Sequence, residues 1–214
     1  PPRRGRSDLP HSLGEPPVIV ASFGGGVNST AMLIGMHERG EKVDLILFAD
    51  TGGEKPHTYA HVLEMTEWLV AHGMPEIQTI RGSQPQQIKD GSLEGECLRL
   101  GCLPSKAYGF SQCSLKWKVA PFDLFLKKLS AESGVPLTQF TRLVGFDADE
   151  HQRFERAERL KEKLLCPQRY PLIEWGWGRD ECIEAIARAG LQPVGKSACF
   201  YCPSSKKTEV LELR

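Results

Sequence analysis

The sequence has no long hydrophobic run and no excess of either charge. Its 214 residues include 27 basic and 27 acidic side chains, and 40% are hydrophobic. Apolar stretches such as residues 43–49 are too short to span a bilayer, and no charged segment followed by an apolar one stands at the start. We therefore expect a cytoplasmic globular protein with no membrane partner. Because the net charge is zero, any nucleic acid must be held by a local basic patch.

The seven cysteines do not predict a disulfide framework, because their number is odd and a chain of this length needs no covalent staples. Cys199 and Cys202 form a Cys-x-x-Cys pair followed by proline. This spacing is typical of metal or cluster ligands, and also of redox pairs. Cys166 and Cys182 lie in apolar surroundings, so we expect them to be buried structural thiols.

Strand and helix patterns alternate after residue 16. Residues 1–16, rich in proline and arginine, predict an extended arm, and residues 17–214 predict one nucleotide-binding domain. Predicted strands are residues 18–21, 43–49, 77–80 and 140–145, and predicted helices are residues 29–39, 58–72, 121–132, 150–165 and 179–189. This order indicates a doubly wound α/β fold, with a mostly parallel sheet and helices on both faces. Two further segments are a cysteine-rich loop at residues 82–121 and the Cys-x-x-Cys segment at residues 195–207.

Residues 22–30, Ser-Phe-Gly-Gly-Gly-Val-Asn-Ser-Thr, join the first predicted strand to the first predicted helix. Glycines let the backbone approach a phosphate, and the helix N-terminus adds partial positive charge. The candidate nucleotide-binding residues here are Ser22, Gly24, Gly25, Gly26, Asn28, Ser29 and Thr30. The alternative is a tight turn with an ordinary helix cap. The segment is neither a Walker A loop nor a dinucleotide-binding fingerprint.

Four segments together resemble the ATP pyrophosphatases, or adenine nucleotide α-hydrolases, and most closely the phosphoadenosine phosphosulfate (PAPS) reductase family. Residues 22–30 resemble the Ser-Gly-Gly-x-Asp-Ser loop, with Asn28 at the aspartate position. Residues 48–59 resemble the Asp-Thr-Gly-x-x-x-Pro-x-Thr segment, and residues 113–121 the Cys-Cys-x-x-x-Lys-Val-x-Pro segment, with serine as the second member of the pair. Residues 145–156 resemble Gly-x-Arg-x-x-Glu-Ser-x-x-Arg, but Asp147 stands where the first arginine is expected.

The resemblance implies ATP, Mg²⁺ and a [4Fe-4S] cluster as cofactors, with zinc as the lesser alternative. Further nucleotide-binding residues are then Asp50, Thr51 and Gly52, although Asp50 could equally be a capping residue. The implied catalytic residues are Asn28, Asp50 and Lys118. The implied cluster ligands are Cys102, Cys113, Cys199 and Cys202. Cys97 is the alternative to Cys102, and a further alternative leaves one iron open.

The implied function is adenylation of a substrate for sulfur transfer, which would thiolate a nucleic acid or a small molecule. The expected partners are an adenine nucleotide, a tRNA or DNA substrate, a sulfur donor such as a cysteine desulfurase, and a second copy of the chain. One alternative is a PAPS or adenylyl sulfate reductase, although the sequence up to Arg214 lacks the Glu-Cys-Gly-x-His tail of that reaction. The other is a non-catalytic nucleotide-binding module with a structural metal.

Overall fold

A five-stranded parallel sheet forms the centre of the protein. The computed structural model describes residues 16–82, 91–105 and 112–211, so the predicted arm lies almost entirely outside the described residues. The strands are β1 (Val18–Phe23), β2 (Leu45–Ala49), β3 (Ile77–Ile80), β4 (Phe140–Val144) and β5 (Gln168–Arg169). Their order is β3-β2-β1-β4-β5, and every pairing is parallel. The chain builds outward from β1 to β3 and then returns to the other side of β1, which confirms the doubly wound α/β fold.

The helices connect these strands. They are α1 (Val27–Glu38), α2 (Pro56–Ala71), α3 (Leu93–Leu100), α4 (Gln112–Ser114), α5 (Ala120–Ser133), α6 (His151–Arg159), α7 (Pro171–Glu174), α8 (Arg179–Arg188) and α9 (Lys207–Leu211). A π-helical turn, Leu115–Val119, joins α4 to α5. In the described part of the chain, no helix combines the length and the apolar character that crossing a membrane requires.

Each face of the sheet carries its own hydrophobic core, as the alternation of side chains along a strand requires. On one face Ala21 and Phe23 pack in a cluster that α1, α2 and α8 complete. On the other face Val20 packs in a second cluster, to which α5 contributes Phe122 and Leu126. The predicted arrangement of helices on both faces is therefore confirmed.

The inward face of α2 differs from the prediction. Val62 and Leu69 are buried as expected, but Leu63 is 68% exposed and Val70 is 57% exposed. The buried positions are Thr58, His61, Val62, Met65 and Leu69, which follow the three- and four-residue spacing of one helix face. Leu63 and Val70 lie seven residues apart on a different face, so their apolar character misled the prediction.

The predicted loop at residues 82–121 contains helices. Helix α3 begins where Ser92 Oγ accepts a hydrogen bond from the Gly95 N–H at 2.9 Å, and it ends at Gly101, which has φ 63°. Leu98 and Leu100 of this helix are exposed. The leucines of this helix do not mark a single buried face, so their spacing does not predict a helix.

The boundaries of two other helices also differ from prediction. Helix α1 begins at Val27, so Asn28 lies in its first turn and not in the preceding loop. The helix predicted to extend to residue 165 ends at Arg159 and is followed by a 3₁₀ turn, Lys161–Lys163. Strand β5 has two residues and helices α7 and α9 have four and five, so none is long enough to show the strand or helix periodicity on which the predictions rest.

We predict that Gly35→Ala destabilises the protein. A Cβ at Gly35 in α1 would lie 2.4 Å from Trp175, whose ring is held between Trp177 and Arg39. Overpacking of this kind costs about 1–3 kcal/mol, which offsets the gain of about 1 kcal/mol expected from alanine in a helix. The net effect is a free energy of unfolding lowered by up to about 2 kcal/mol, which denaturant titration should show. In a Trp175→Leu background the same substitution should be neutral or stabilising. A Gly35→Ala protein more stable than wild type would contradict this packing.

Candidate nucleotide and thiol sites

A cavity of about 640 Å³ opens at the carboxyl edge of the sheet, between β1 and β4. The chain leaves these adjacent parallel strands in opposite directions across the sheet, and ligands of open α/β sheets bind at such a reversal of strand order. Ser22, Gly24 and Gly26 line one side of the cavity, and Gly145 lines the other. The structure therefore places the predicted glycine loop where this fold class binds ligands.

The glycine loop is braced by its own hydroxyl groups. Ser29 Oγ accepts a hydrogen bond from the Gly24 N–H at 3.1 Å and donates to the Gly26 carbonyl at 3.1 Å. Thr30 donates to the same carbonyl at 3.0 Å and contacts His61 in the core. Gly25 has φ 69°, and a Cβ there would lie 2.8 Å from Thr58, so this turn requires glycine. Of the seven predicted loop residues, Gly25 and Thr30 face the core and the other five line the cavity.

Asn28 joins three charged side chains at the cavity. Its Nδ2 donates hydrogen bonds to Asp147 Oδ2 at 2.8 Å and to Glu150 Oε2 at 3.1 Å. Its Oδ1 accepts a hydrogen bond from Arg179 Nη1 at 3.1 Å. Asp147 is buried, and both burial and the negative charge of Glu150 raise the pKa of its carboxyl group. Both the amide nitrogen and the amide oxygen of Asn28 therefore have charged partners, while the side chain itself is neutral.

Three cationic side chains line the same cavity. Arg153 forms an ion pair with Glu150, and its guanidinium lies 4.5 Å from the centre of the Phe146 ring. Lys196 Nζ lies 3.0 Å from a carboxylate oxygen of Glu209. The third cation is Arg179. The cavity therefore combines a glycine loop, a helix N-terminus and positive charge, which together suit a phosphate group.

Residues 195–202 run from this cavity to the loop after β2. A Cβ on Gly26 would lie 2.8 Å from Ser197 Oγ, so the segment passes close over the glycine loop. Further along, the Lys55 N–H donates to the Ala198 carbonyl at 3.1 Å, and the Phe200 N–H donates to the Gly53 carbonyl at 3.2 Å. One stretch of backbone thus connects the cavity to the Cys-x-x-Cys pair.

Asp50 lies beneath the loop after β2 and does not line the cavity. It is buried, and its Oδ1 accepts hydrogen bonds from the Gly52 N–H and from the Tyr59 hydroxyl, each at 2.8 Å. Its Oδ2 accepts a hydrogen bond from Arg81 Nε at 3.0 Å. Burial alone raises the pKa of Asp50, but these hydrogen bonds and the charge of Arg81 outweigh it and lower the pKa below 3.8. Burial and Asp50 together raise the pKa of Tyr59 to about 12. Asp50 therefore closes the turn at Gly52 and does not cap α2, whose N-cap is Lys55.

Thr51 and Lys118 lie on the side of the thiols. Thr51 Oγ1 donates to Glu54 Oε1 at 3.2 Å and lies 3.3 Å from Cys199 Sγ. Lys118 Nζ lies 2.8 Å from the same Glu54 oxygen, whose side chain is fully buried. Gly52 packs against Ser92, the residue that caps α3. None of the predicted residues Asp50, Thr51, Gly52 and Lys118 lines the glycine-loop cavity, and Thr51 contacts Cys199 directly whereas Lys118 is connected to it through Glu54.

Three thiols share one apolar shell. Cys97, Cys113 and Cys199 all pack against the buried pair Leu93 and Trp117. Burial raises the pKa of Cys97, and nearby Cys102 raises it further. Burial and the charge of Glu54 raise the pKa of Cys199. This shell brings together helix α3, the start of α4 and the Cys-x-x-Cys segment.

The four predicted ligands do not converge on one point. Cys102 is exposed but lines a cavity of about 260 Å³ with Cys97 and Cys113. Cys202 is connected to Cys199 through its backbone N–H, which donates to the Cys199 carbonyl at 3.0 Å. Within residues 16–82, 91–105 and 112–211, no three His, Cys, Asp or Glu side chains are close enough together to hold a metal ion. Cys166 and Cys182 are buried in the two cores, as predicted.

Sequence reasoning missed Arg179, Glu54 and the contact between Asn28 and Asp147. Glu54 lies within residues 48–59, at one of the unspecified positions of the Asp-Thr-Gly-x-x-x-Pro-x-Thr motif. Arg179 follows a glycine at the start of α8, and no local pattern connects it to a loop 151 residues earlier. These contacts depend on tertiary structure, so only the fold reveals them.

Comparison with known proteins identifies a shared fold. No family model matches the sequence, and no curated protein matches it. A solved structure of the U34-tRNA thiolase NcsA from Methanococcus maripaludis, with its [4Fe-4S] cluster, matches 94% of this chain with a TM-score of 0.53 and 14% sequence identity. This chain covers 65% of that protein's length. At this identity the likeness shows that the two chains have the same fold, and nothing beyond it.

We predict that Asp50→Asn lowers the free energy of unfolding at neutral pH by about 2–3 kcal/mol, because an amide accepts these hydrogen bonds less strongly and cannot pair with Arg81. The lowered pKa of Asp50 means that its contribution is present above the pKa of the unfolded state and is lost as the pH falls through the folded value. Denaturant titrations at neutral pH and at about pH 3 should therefore show a smaller acid-induced loss in Asp50→Asn than in wild type.

Tyr59→Phe is the matched control, since it removes one donor to Asp50 and should cost only about 1 kcal/mol. Equal stability of Asp50→Asn and wild type at both pH values would show that this network does not support the loop.

Proposed function

We propose that the protein is an ATP pyrophosphatase-type sulfurtransferase, which adenylates a nucleic acid or a small molecule and then transfers sulfur to it. The observation that carries this proposal is the connection between two sites. A glycine-loop cavity suited to phosphate and a shell of cysteine thiols are joined by residues 195–202. The two sites correspond to the two halves of such a reaction, activation by ATP and delivery of sulfur.

ATP would bind with its phosphates at the glycine loop. The loop backbone and the N-terminus of α1 would stabilise the phosphate charge, together with the cavity cations. Glu150 lines the cavity, and its carboxylate would hold Mg²⁺, which would neutralise the triphosphate, while the buried Asp147 would support it through Asn28. Asn28 would position these carboxylates. Asp50 would hold the loop after β2 in place through its buried hydrogen bonds.

The reaction has two steps. A substrate oxygen attacks the α-phosphorus of ATP, the bond to the bridging oxygen of the β-phosphate breaks, and pyrophosphate leaves. A sulfur nucleophile then attacks the adenylated carbon, the carbon–oxygen bond breaks, and AMP leaves with that oxygen. The chain's cations would stabilise the negative charge that develops on pyrophosphate in the first step.

The chemistry of the donor set fits a thiolate-bound metal. Beside the apolar shell of thiols, Glu54 Oε2 is buried without a hydrogen-bond partner among the described residues. A [4Fe-4S] cluster, when bound, would supply a site that holds sulfur for transfer. Cys113, Cys199 and Cys202 would hold it together with Cys97 or Cys102, and Lys118 would offset its negative charge. Because no three of these side chains are grouped closely enough to hold a metal ion within the described residues, loading would require the thiols to move closer together.

Several further features of the proposal rest on resemblance. The NcsA structure contains a [4Fe-4S] cluster in a protein that acts on tRNA, which supports a nucleic-acid substrate for a chain of the same fold. The segment motifs support closeness to the PAPS reductase family. A sulfur donor such as a cysteine desulfurase, a dimer and a cytoplasmic location belong to the same proposal.

We predict ATP cleavage to AMP and pyrophosphate by protein purified without oxygen. The purified protein should be brown and contain about four irons per chain. Incubation with ATP, mixed tRNA or DNA, and sulfide as the sulfur nucleophile should release AMP and pyrophosphate in amounts that depend on the nucleic acid. Omission of ATP or of the nucleic acid should abolish release. A colourless protein with one bound zinc and no AMP would instead support a module with a structural metal.

We predict that Cys97, and not Cys102, completes the ligand set, because Cys97 shares the apolar shell with Cys113 and Cys199 whereas Cys102 is exposed. Cys97→Ser should lose iron and visible absorption after reconstitution and desalting, and Cys102→Ser should retain both. The two variants are matched, since they make the same change within one cavity. The opposite pattern would assign the ligand to Cys102, and retention by both variants would favour a cluster with an open iron.

A further inference from the structure

Arg179 is the first residue of α8, and its side chain reaches across the cavity to α1. Its guanidinium Nη1 donates to Asn28 Oδ1 at 3.1 Å, and both residues line the cavity beside the glycine loop. Its backbone N–H donates to Asp149 Oδ2 at 2.8 Å, which fixes the start of α8 against the segment after β4. The backbone contact with Asp149 and the guanidinium contact with Asn28 therefore hold the side chain beside the glycine loop.

Helix stability does not explain a cation at this position. The N-terminus of a helix carries partial positive charge, so a basic side chain there costs about 0.3–1 kcal/mol. Arg179 is the first residue of α8, and its guanidinium lies beside Asn28 in the first turn of α1, so it approaches two helix N-termini at once. An anion bound at this point would be stabilised by both helix N-termini and by the guanidinium.

The other two cavity cations already have anionic partners. Arg153 is paired with Glu150, and Lys196 with Glu209. Arg179, in contrast, contacts the neutral amide of Asn28, and within the described ranges its guanidinium forms no ion pair with a carboxylate. Of the three, its charge is thus available to a ligand without breaking an existing ion pair.

Two departures from the family's sequence pattern meet at this point. The loop has Asn28 in place of aspartate, and the segment after β4 has Asp147 in place of arginine. The two residues are joined by a hydrogen bond of 2.8 Å. An aspartate at position 28 would place a third carboxylate against Asp147 and Glu150, so the neutral amide is required here.

We propose that Arg179 binds a phosphate group of the nucleotide in the glycine-loop cavity, with Asn28 positioning its guanidinium. This inference rests on the proposed function, because it assumes that an adenine nucleotide occupies the cavity. Arginine suits the role, since its planar donors match the oxygens of a phosphate.

The test compares binding of ATP, pyrophosphate and adenosine to the full chain by calorimetry. Arg179→Gln should weaken ATP and pyrophosphate binding by about 10- to 100-fold, as expected for the loss of one charge-assisted contact. Its affinity for adenosine, which has no phosphate, should equal that of wild type. Arg179→Lys should recover part of the lost affinity, because it restores charge without the planar fork.

Arg188→Gln is the matched control, on the same helix but paired with Glu38 outside the cavity, and it should leave all three affinities unchanged. Equal ATP affinity for Arg179→Gln and wild type would overturn the assignment and leave the proposed function intact. Parallel loss of adenosine binding would also overturn it, since Arg179 would then only support the loop. Failure of the wild-type protein to bind ATP or pyrophosphate would overturn both.

Discussion

The parallel pairing of β1 with both β2 and β4 is the constraint on which the two sites depend. Parallel strands end at the same edge of a sheet, so this register brings three chain segments together that are far apart in sequence. They are the glycine loop after β1, the loop of Asp50 after β2, and the segment of Asp147 after β4. A central strand buried on both faces leaves little freedom to shift, because a slip of one residue would turn its core side chains to the wrong cluster. The geometry of the sites is therefore fixed by the sheet and its two cores.

A second constraint is the attachment of residues 195–202 to this edge. The short antiparallel bridge between Glu54 and Cys199, with its flanking backbone hydrogen bonds, ties the Cys-x-x-Cys pair to the loop after β2. The buried Glu54 carboxylate strengthens the attachment, because it pairs with Lys118 from the π-helical turn and accepts a hydrogen bond from Thr51. A movement of the thiols toward a metal would be transmitted along the same backbone to Ser197, above the glycine loop. One stretch of backbone therefore links the position of the thiols to the glycine loop.

The fold was predictable from the sequence because its main elements carry strong local patterns. The buried strands are short apolar runs, and α1, α5 and α8 follow apolar helical spacing between glycine and proline boundaries. Prediction failed where tertiary packing decides. Leu63 and Val70 are apolar yet exposed, and α3 exposes Leu98 and Leu100. These side chains are exposed and fill no core, so their hydrophobicity carries no information about which helix face is buried.

The candidate sites were predictable only where a motif places several functional residues next to one another. The glycine loop and the Cys-x-x-Cys pair are such motifs, and the structure places each at the edge of the sheet. Arg179 could not be predicted from a motif, because it lies 151 residues after Asn28, in a helix that follows the last strand of the sheet. Asn28 and Asp147 each depart from a motif of the PAPS reductase family. Taken one at a time, each departure weakens the resemblance to that family. Their hydrogen bond joins the two positions: with Asp147 in the segment after β4, a neutral residue at position 28 avoids a third carboxylate beside Asp147 and Glu150. The two departures are therefore linked by one contact, and the residue at position 147 sets the charge that position 28 can carry.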